Sequence, residues 1–159
     1  MVDEVCINDA LLAGAKEVFE TMIFMDIAEA SEPEQRIEGD TLLGSITFKG
    51  DLEGCLTICC GVTCAKTIAL NMLAMEPTDE ISKEEVCDAI GEVTNMVMGS
   101  VKARLQDSMG NAQVSIPTVV SGHGLHNSLG AGACKVLLRA AFDDEYAAEL
   151  SMLYREAHN

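Results

Sequence analysis

Four polar or small residues recur at alternating spacings of four and three along one segment of the chain: Asp88, Glu92, Asn95 and Gly99. In an α-helix, which advances about 100° per residue, these residues and Lys102 fall within an arc of roughly 80°. A carboxylate and a carboxamide should therefore project from one outward face, one turn apart. Asn and Gly are poor residues for a helix interior, Gly costing about 1 kcal/mol relative to Ala. A requirement other than helix stability is therefore expected to select them.

The chemistry open to this polar stripe (Asp88, Glu92, Asn95, Gly99 and Lys102) is positioning rather than covalent attack. Residues 88–99 hold no serine, histidine base or metal-ligand cluster that would activate a nucleophile. An Asn side chain both donates and accepts hydrogen bonds, so it can orient a water for in-line attack on a phosphoryl group. Glu92 could anchor a lysine of a partner, and Gly99 would let another backbone approach closely. The competing interpretation is an ordinary solvated helix face.

The helix that must carry the stripe has a clear start. Ser82, with Glu85 three residues later, predicts a capping box. Apolar residues fall on the face opposite the stripe: Val86, Ile90, Val93, Val97 and Val101. We predict a helix from Ser82 to about Gln106, with Gly110 past its end.

Two further helices are predicted from apolar periodicity. The first spans residues 7–27 with Asn8 or Asp9 as its cap, and the second spans residues 62–73 and stops before Pro77. The polar segments 31–40 and 123–132 are predicted loops.

Short runs rich in β-branched and aliphatic residues predict the strands. Residues 42–48 and 55–60 form a predicted β-hairpin, and residues 113–121 and 134–142 are further strands. Pro117 must lie at an edge, a strand start or a bulge because it cannot donate to the ladder. Residues 145–157 are ambiguous, since their alternation favours a strand whereas Ala and Glu favour a helix.

These elements predict one domain over residues 1–159, of the α/β class in its α+β form. We expect an antiparallel β-sheet with amphipathic helices packed on one face. A weak internal repeat, helix then two strands, aligns Glu17-Val18-Phe19-Glu20 with Glu92-Val93-Thr94-Asn95. Glu20 then stands where the second copy has Asn95. Two helices that look alike because both cover a sheet would explain the same pattern.

Charge and apolar patterning limit the partners. The formal net charge is −16, and the ten Lys and Arg residues are scattered, so nucleic acid and anionic membrane surfaces are not expected partners. Asp3 and Glu4 precede any apolar stretch, and no apolar run approaches the about 20 residues of a membrane span. We expect a cytoplasmic protein.

Seven cysteines lie mostly within apolar runs, which is typical of reduced core thiols. The sharper alternative is a redox or metal site built from Cys60 and Cys64 with His123 or His126. It is disfavoured because the pair lacks the two-residue separation of common zinc knuckles and no second close pair follows.

Two motifs together resemble the CheC/CheX/FliY family, and specifically its CheX branch. They are Asp88-x-x-x-Glu92-x-x-Asn95-x-x-x-Gly99 and Ser115-Ile116-Pro117-Thr118-Val119-Val120-Ser121-Gly122. Supporting matches occur in residues 18–22, 44–48 and 54–58, so that the resemblance extends over residues 7–142. The Glu-x-x-Asn unit alone is weak evidence, but its joint occurrence with the proline-containing strand is fairly specific.

The resemblance implies a phosphatase acting on a phosphorylated CheY-like response regulator in chemotaxis signalling. Glu92 would pair with a lysine of the regulator and Asn95 would orient the attacking water, while Asp88, Gly99 and Lys102 would contact the partner. Mg²⁺ would belong to the partner, so the chain itself would need no cofactor. CheX proteins have one active helix and dimerise through the sheet, whereas CheC typically carries two motifs; a homodimer is therefore expected.

Two expectations accompany this function. Because a receiver domain has an acidic active site, Lys102 or Arg104 should be exposed beside the motif to offset the acidic surface. The alternative function is a non-catalytic module that docks on a receiver domain or a flagellar-switch component through the same helix.

Overall fold

The structure, a computed structural model, describes residues 3–30, 37, 39–123, 125 and 132–157. The helices are α1 (Glu4–Val18), α2 (Val62–Met72), α3 (Lys83–Arg104) and α4 (Gln106–Met109), and a π-helical segment (Phe19–Ile23) follows α1. The strands are β1 (Ile27–Glu29), β2 (Thr41–Lys49), β3 (Leu52–Gly61), β4 (Gln113–Val114), β5 (Thr118–Gly122), β6 (Cys134–Phe142) and β7 (Tyr146–Glu156). The predicted loop over residues 31–40 lies largely outside the described residues, as does the one over residues 123–132.

All the strands join one antiparallel sheet in the order β1, β6, β7, β3, β2 and β4, with β5 also pairing with β2. The buried apolar residues of one sheet face form a single core with the inner faces of α1, α2 and α3. The predicted fold class is therefore confirmed. In the described part of the chain, none of the helices combines the length and the apolar character that crossing a bilayer requires.

The predicted β2–β3 hairpin is present, and its strands are longer than predicted. The ladder runs from Thr41 opposite Gly61 to Lys49 opposite Glu53, and only Gly50 and Asp51 lie between the ends of β2 and β3. The connection predicted between the two strands is residues 49–54, which include the polar Lys49 and Glu53. They nevertheless extend the ladder, since backbone pairing does not depend on apolar side chains.

The ambiguous C-terminal segment is a strand. β7 pairs with β3 on one side and with β6 on the other, so it is a central strand of the sheet. Its helix-favouring residues are overridden because both edges of the backbone are hydrogen-bonded and Leu150 and Met152 are fully buried. The turn before it holds Asp143 and Asp144 at φ of 52° and 54°, a left-handed conformation that Asp tolerates better than most residues.

The single strand predicted over residues 113–121 is two strands. β4 and β5 both pair with β2, and the ladder is interrupted between Val114 and Thr118. Pro117 lies in this interruption, as its missing N–H requires. Ser115 continues the pairing through its amide, which donates to the Thr47 carbonyl at 2.9 Å. An edge, a strand start or a bulge was predicted for Pro117, and it lies in this break of the ladder directly before β5 begins.

The first helix differs from its prediction at both ends. It begins at Glu4, and its cap is Asp3, whose side chain accepts from the Val5 amide at 3.1 Å, not Asn8 or Asp9. It ends in the π-helical segment, which Phe24 terminates at φ of 61°. Ile27 belongs to β1 instead and pairs with Phe142. The apolar pattern continued past the helix because the π turn and β1 are buried against the same core.

Close approach of α3 to β2 places the helix on the sheet. A Cβ atom added at Gly44 would collide with the Thr94 hydroxyl and lie 3.2 Å from Cγ2 of Ile90. Thr94 is fully buried, and its hydroxyl donates to the Ile90 carbonyl at 2.7 Å, so no polar group is left unsatisfied there. Gly44 is therefore needed for the helix to lie this close to the strand.

A matched pair of glycine substitutions tests this packing. We expect Gly44→Ala to lower the free energy of unfolding by about 1–3 kcal/mol, because the added methyl overpacks the interface with α3. Gly99→Ala should raise it by about 1 kcal/mol, because the new methyl meets no atom within 4 Å and alanine favours the helix. Urea denaturation measures both free energies of unfolding, provided that their dependence on urea concentration keeps the same slope. Equal stability of Gly44→Ala and the parent would contradict the packing argument.

Candidate functional site

The polar stripe is exposed along α3, as its spacing predicts. Asp88, Glu92, Asn95 and Gly99 are exposed, and Lys102 is half-buried. The opposite face is in the core: Val86, Ile90, Val93, Val97 and Val101 are at most 7% exposed. The Ser82 cap is also present, its hydroxyl accepting from the Glu85 amide at 3.1 Å. The helix therefore presents a carboxylate and a carboxamide to solvent on a rigid support.

Glu92 and Asn95 have no stabilising task inside the described part of the chain. Neither side chain makes a hydrogen bond or an ion pair with another described residue. Polar side chains without intramolecular partners are available to a binding partner. With one turn between them, the two groups can contact neighbouring atoms of the same partner site.

Gly99 leaves the exposed helix surface beside Asn95 without a protruding side chain. A Cβ atom added at Gly99 would meet nothing within 4 Å, so packing inside the described structure does not require glycine there. Glycine costs about 1 kcal/mol in a helix interior, and no described contact offsets that cost. The absence of a side chain at residue 99 therefore fits close approach of another molecule.

The two parts of the sequence signature meet in space. Pro117 and Val119 lie beside Gly91, whose added Cβ would come to 3.8 Å from Cγ of the proline and 3.5 Å from Cγ2 of the valine. β5 therefore supports the helix one residue from Glu92. Sequence analysis did not identify this contact, although the co-occurrence of the helix and strand motifs was a signal for it.

The two cations expected beside the motif have partners within the chain. The Lys102 ammonium donates to the Ala112 carbonyl at 2.7 Å, and the Arg104 guanidinium pairs with Glu17 at 2.6 Å. Arg104 is exposed, as expected of one of the two cations, but both already bind groups of this chain. Partner contact by Lys102, by Asp88 or by Gly99 stays a prediction.

Comparison with known proteins identifies the family. The family model described as chemotaxis phosphatase CheX matches residues 42–149, which is more than half of the chain and includes all of α3 and β5. The chain belongs to the CheX family. No curated protein sequence matches this chain.

Solved structures agree with this assignment. The CheX protein of Vibrio vulnificus is 25% identical, with a TM-score of 0.78 over 98% of this chain and 100% of that one. A CheC-like superfamily protein from Shewanella sp. PV-4 is 26% identical, with a TM-score of 0.75 over 95% of this chain and 98% of that one. The CheX–CheY–BeF3–Mg²⁺ complex of Borrelia burgdorferi shares the fold at 19% identity, with a TM-score of 0.73 over 98% of this chain and 100% of that one.

The first helix of this CheX-family chain differs from α3 at the aligned positions. Glu17, aligned with Glu92, accepts hydrogen bonds from Ser100 at 3.2 Å and Arg104 at 2.6 Å. Glu20, aligned with Asn95, lies in the π-helical segment. The aligned carboxylate is therefore engaged in holding α1 on α3, and the amide is replaced by a second acid. The described residues of α1 do not repeat the arrangement on α3.

The cysteine alternative has no geometric support in this CheX-family chain. Cys60 and Cys64 are buried in the core, whereas His123 lines a 310 Å³ cavity with Cys59, the neighbour that faces the other side of β3. His126 lies outside the described residues. Over the described ranges, no group of three or more His, Cys, Asp or Glu side chains could hold a metal ion. Among the described residues, the disfavoured alternative of Cys60 and Cys64 with His123 is therefore not assembled.

Burial also argues against thiol chemistry. The hydrogen bond with Cys64 and desolvation raise the pKa of the Cys60 thiol well above its ordinary value. Desolvation likewise raises the pKa of Cys59, although a hydrogen bond with Thr41 opposes the shift. The thiolate is the reactive form, so these shifts disfavour nucleophilic or redox use of either residue.

Thiol labelling tests this conclusion. At about pH 8, Ellman's reagent should modify the exposed Cys6 rapidly in the native protein, while Cys60 and Cys64 should react only after unfolding. Peptide mass mapping identifies the modified residues. Labelling of native Cys60 at the rate of Cys6 would revive a redox role.

Proposed function

We propose that this chain hydrolyses the phosphoaspartate of a CheY-like response regulator in chemotaxis signalling. The observation that carries the proposal is the exposed Glu92 and Asn95 pair on α3, which has no partner among the described residues. Membership of a family described as a chemotaxis phosphatase supports it. So does the solved CheX–CheY complex of a protein with the same fold.

In this mechanism the chain supplies half of an active site. Asn95 enters the partner's phosphorylation site, where its carboxamide accepts from and donates to the attacking water and holds it in line with the phosphorus–oxygen bond to be broken. Glu92 pairs with a lysine of the partner and fixes the depth and orientation of Asn95. The water attacks phosphorus, the aspartate carboxylate leaves, and inorganic phosphate is released.

The metal belongs to the partner in this proposal. Mg²⁺ held by the regulator's carboxylates would offset the charge on the phosphoryl oxygens, so this chain contributes no metal ligand and no cofactor. Asp88 and Lys102 would contact the partner at the two ends of the stripe, and Gly99 would allow the partner's backbone to approach.

The family resemblance also leads us to propose a cytoplasmic homodimer that associates through the sheet. Leu137 and Val120 lie on strands of the sheet, and the helices do not cover them. Their side chains are 41% and 46% exposed. Light scattering coupled to gel filtration measures the mass of the particle. A monomer at micromolar concentration would contradict the dimer without affecting the phosphatase proposal.

Single substitutions in the pair separate chemistry from binding. Asn95→Ala should lower the rate of phosphoryl loss from a phosphorylated receiver domain by about 10²-fold or more, because misplacing a reacting group costs that much, while affinity is kept. Glu92→Gln should weaken binding because it removes the charge that meets the partner's lysine. Radiolabelled receiver domain gives the rate, and calorimetry with a beryllofluoride-activated receiver gives the affinity.

Asp107→Asn is the matched control, since it removes one exposed carboxylate from α4, beyond the end of α3. It should leave both rate and affinity unchanged. A parent protein that binds the receiver domain without shortening the life of its phosphoryl group would show a docking module instead of an enzyme.

A further inference from the structure

An uncharged segment, residues 112–117, borders the polar stripe and contacts α3 at both of its ends. At one end the Ala112 carbonyl accepts from the Lys102 ammonium at 2.7 Å. At the other end Cγ of Pro117 would lie 3.8 Å from a Cβ atom added at Gly91. Lys102 belongs to the stripe, and Gly91 lies about 40° around the helix from Asn95. Both contacts therefore adjoin the stripe and not the valine face of α3.

The lengths of the two segments place them side by side. Gly91 and Lys102 are about 16 Å apart along α3 at 1.5 Å per residue. Residues 112–117 follow β2 and cover about 13–16 Å at 3.3 Å per residue, the lower value allowing for the break in the ladder. The segment therefore runs antiparallel to α3 over this whole length.

This alignment sets exposed aliphatic side chains beside the candidate site. Ile116, one residue before Pro117, falls level with the turn that carries Glu92 and Asn95. It is 87% exposed, more than any other large apolar residue that the structure describes. Val114, 37% exposed, falls about one turn further along the helix.

Together these side chains form an aliphatic rim, which comprises Val114, Ile116, Pro117 and Val119. Pro117 and Val119 are partly exposed, and both lie beside Gly91. Single exposed apolar residues are common on protein surfaces, but four within six residues form a contiguous apolar border of the kind that another protein covers.

The backbone of the aliphatic rim is fixed in place. The Ser115 amide donates to the Thr47 carbonyl at 2.9 Å, and the Thr47 amide donates to the Ser115 hydroxyl at 3.0 Å. β4 and β5 pair with β2 on either side of this contact. A partner that binds here does not have to order a loop, which keeps the entropic cost of association low.

Charge favours a receiver domain as the molecule that covers the rim. Residues 108–134 contain no Asp, Glu, Lys or Arg, in a chain whose formal net charge is −16. A receiver domain has an acidic active site, and like charges placed together across an interface oppose binding. Lys102 and Arg104 are bound within the chain, so they do not offset this repulsion. An uncharged border adds no repulsion, and burial of its apolar surface supplies attraction.

We propose that the aliphatic rim is the second part of the receiver-domain interface, and that Ile116 packs on an apolar patch beside the partner's phosphorylation site. The inference rests on the proposed function. Glu92 and Asn95 would make the polar contacts inside that site, whereas the rim would add affinity without charge. The strand motif would then bind the partner as well as support α3.

Substitutions at Ile116 test the rim. Ile116→Ser removes apolar surface, and Ile116→Asp also adds a negative charge. The matched controls are Val62→Ser and Val62→Asp, because Val62 is 50% exposed and lines a cavity with Val86, a residue of the α3 face opposite the stripe. Thermal unfolding should show all four variants folded, since both positions are exposed. If an Ile116 variant is unfolded, the β-branched Ile116→Thr replaces it and should weaken binding in the same direction.

We expect Ile116→Ser to weaken binding of a beryllofluoride-activated receiver domain about tenfold, and to raise the KM for phosphorylated receiver domain equally at unchanged kcat. Ile116→Asp should weaken binding further. The loss for Ile116→Ser should be the same at low and high salt because apolar burial is not screened, whereas the loss for Glu92→Gln should shrink as salt rises. Both Val62 variants should match the parent protein.

Equal affinities for Ile116→Ser and Val62→Ser would overturn the role of the rim, as would a fall in kcat at constant KM. These outcomes are distinct from failure of the proposed function. If Asn95→Ala loses activity and the Ile116 variants change nothing, the rim alone is wrong. If the parent binds the activated receiver domain without dephosphorylating the phosphorylated one, the enzymatic function is wrong, and the affinities of the Ile116 variants still decide the rim. A parent protein that does not bind the receiver domain would refute both.

Discussion

Contact between α3 and β2 is the constraint on which the rest of the structure depends. Gly44 lets the helix lie close enough for Ile90 and the buried Thr94 to pack on the strand. Once that face is held, the helix cannot rotate without exposing valines or burying a carboxylate, and both changes are costly. The direction in which Glu92 and Asn95 point is therefore set by packing on the other side of the helix. The orientation of the site therefore depends on residues of the buried face of the helix.

The two aligned helices use their acidic residues differently. On α1, Glu17 accepts hydrogen bonds from Ser100 and Arg104, and these bonds hold α1 against α3. On α3, Glu92 is left without a described partner. Pairing satisfies the first carboxylate within the fold, while the second keeps its capacity for another molecule. The aligned position thus holds two helices together on α1, whereas on α3 it makes no contact with another described residue.

Much of the fold and site could be predicted where local pattern and tertiary environment agree. The capping residue Ser82, the valine face and the stripe all indicate α3, and the structure has that helix within two residues of its predicted end. The prediction was wrong where the chain stays buried while its secondary structure changes. Phe19, Ile23 and Ile27 lie in one core but belong to a π turn and a strand, so their apolar spacing could not mark where α1 ends. β7 was undecidable because its strand character comes from pairing on both edges, which local propensity does not report.

The amino-acid sequence by itself determined which residues face outward on α3, because helical geometry converts spacing into direction without reference to the rest of the chain. It also carried the pairing of motifs that indicates the family. Only the tertiary structure decided which charged side chains have partners within the chain and which remain available to another molecule. Lys102 belongs to the stripe and Arg104 follows it along the helix, yet their side chains reach Ala112 and Glu17, while Lys66 and Lys83, distant in sequence, line one cavity. The physical reason is that ion pairs and cavities form between segments that only folding brings together.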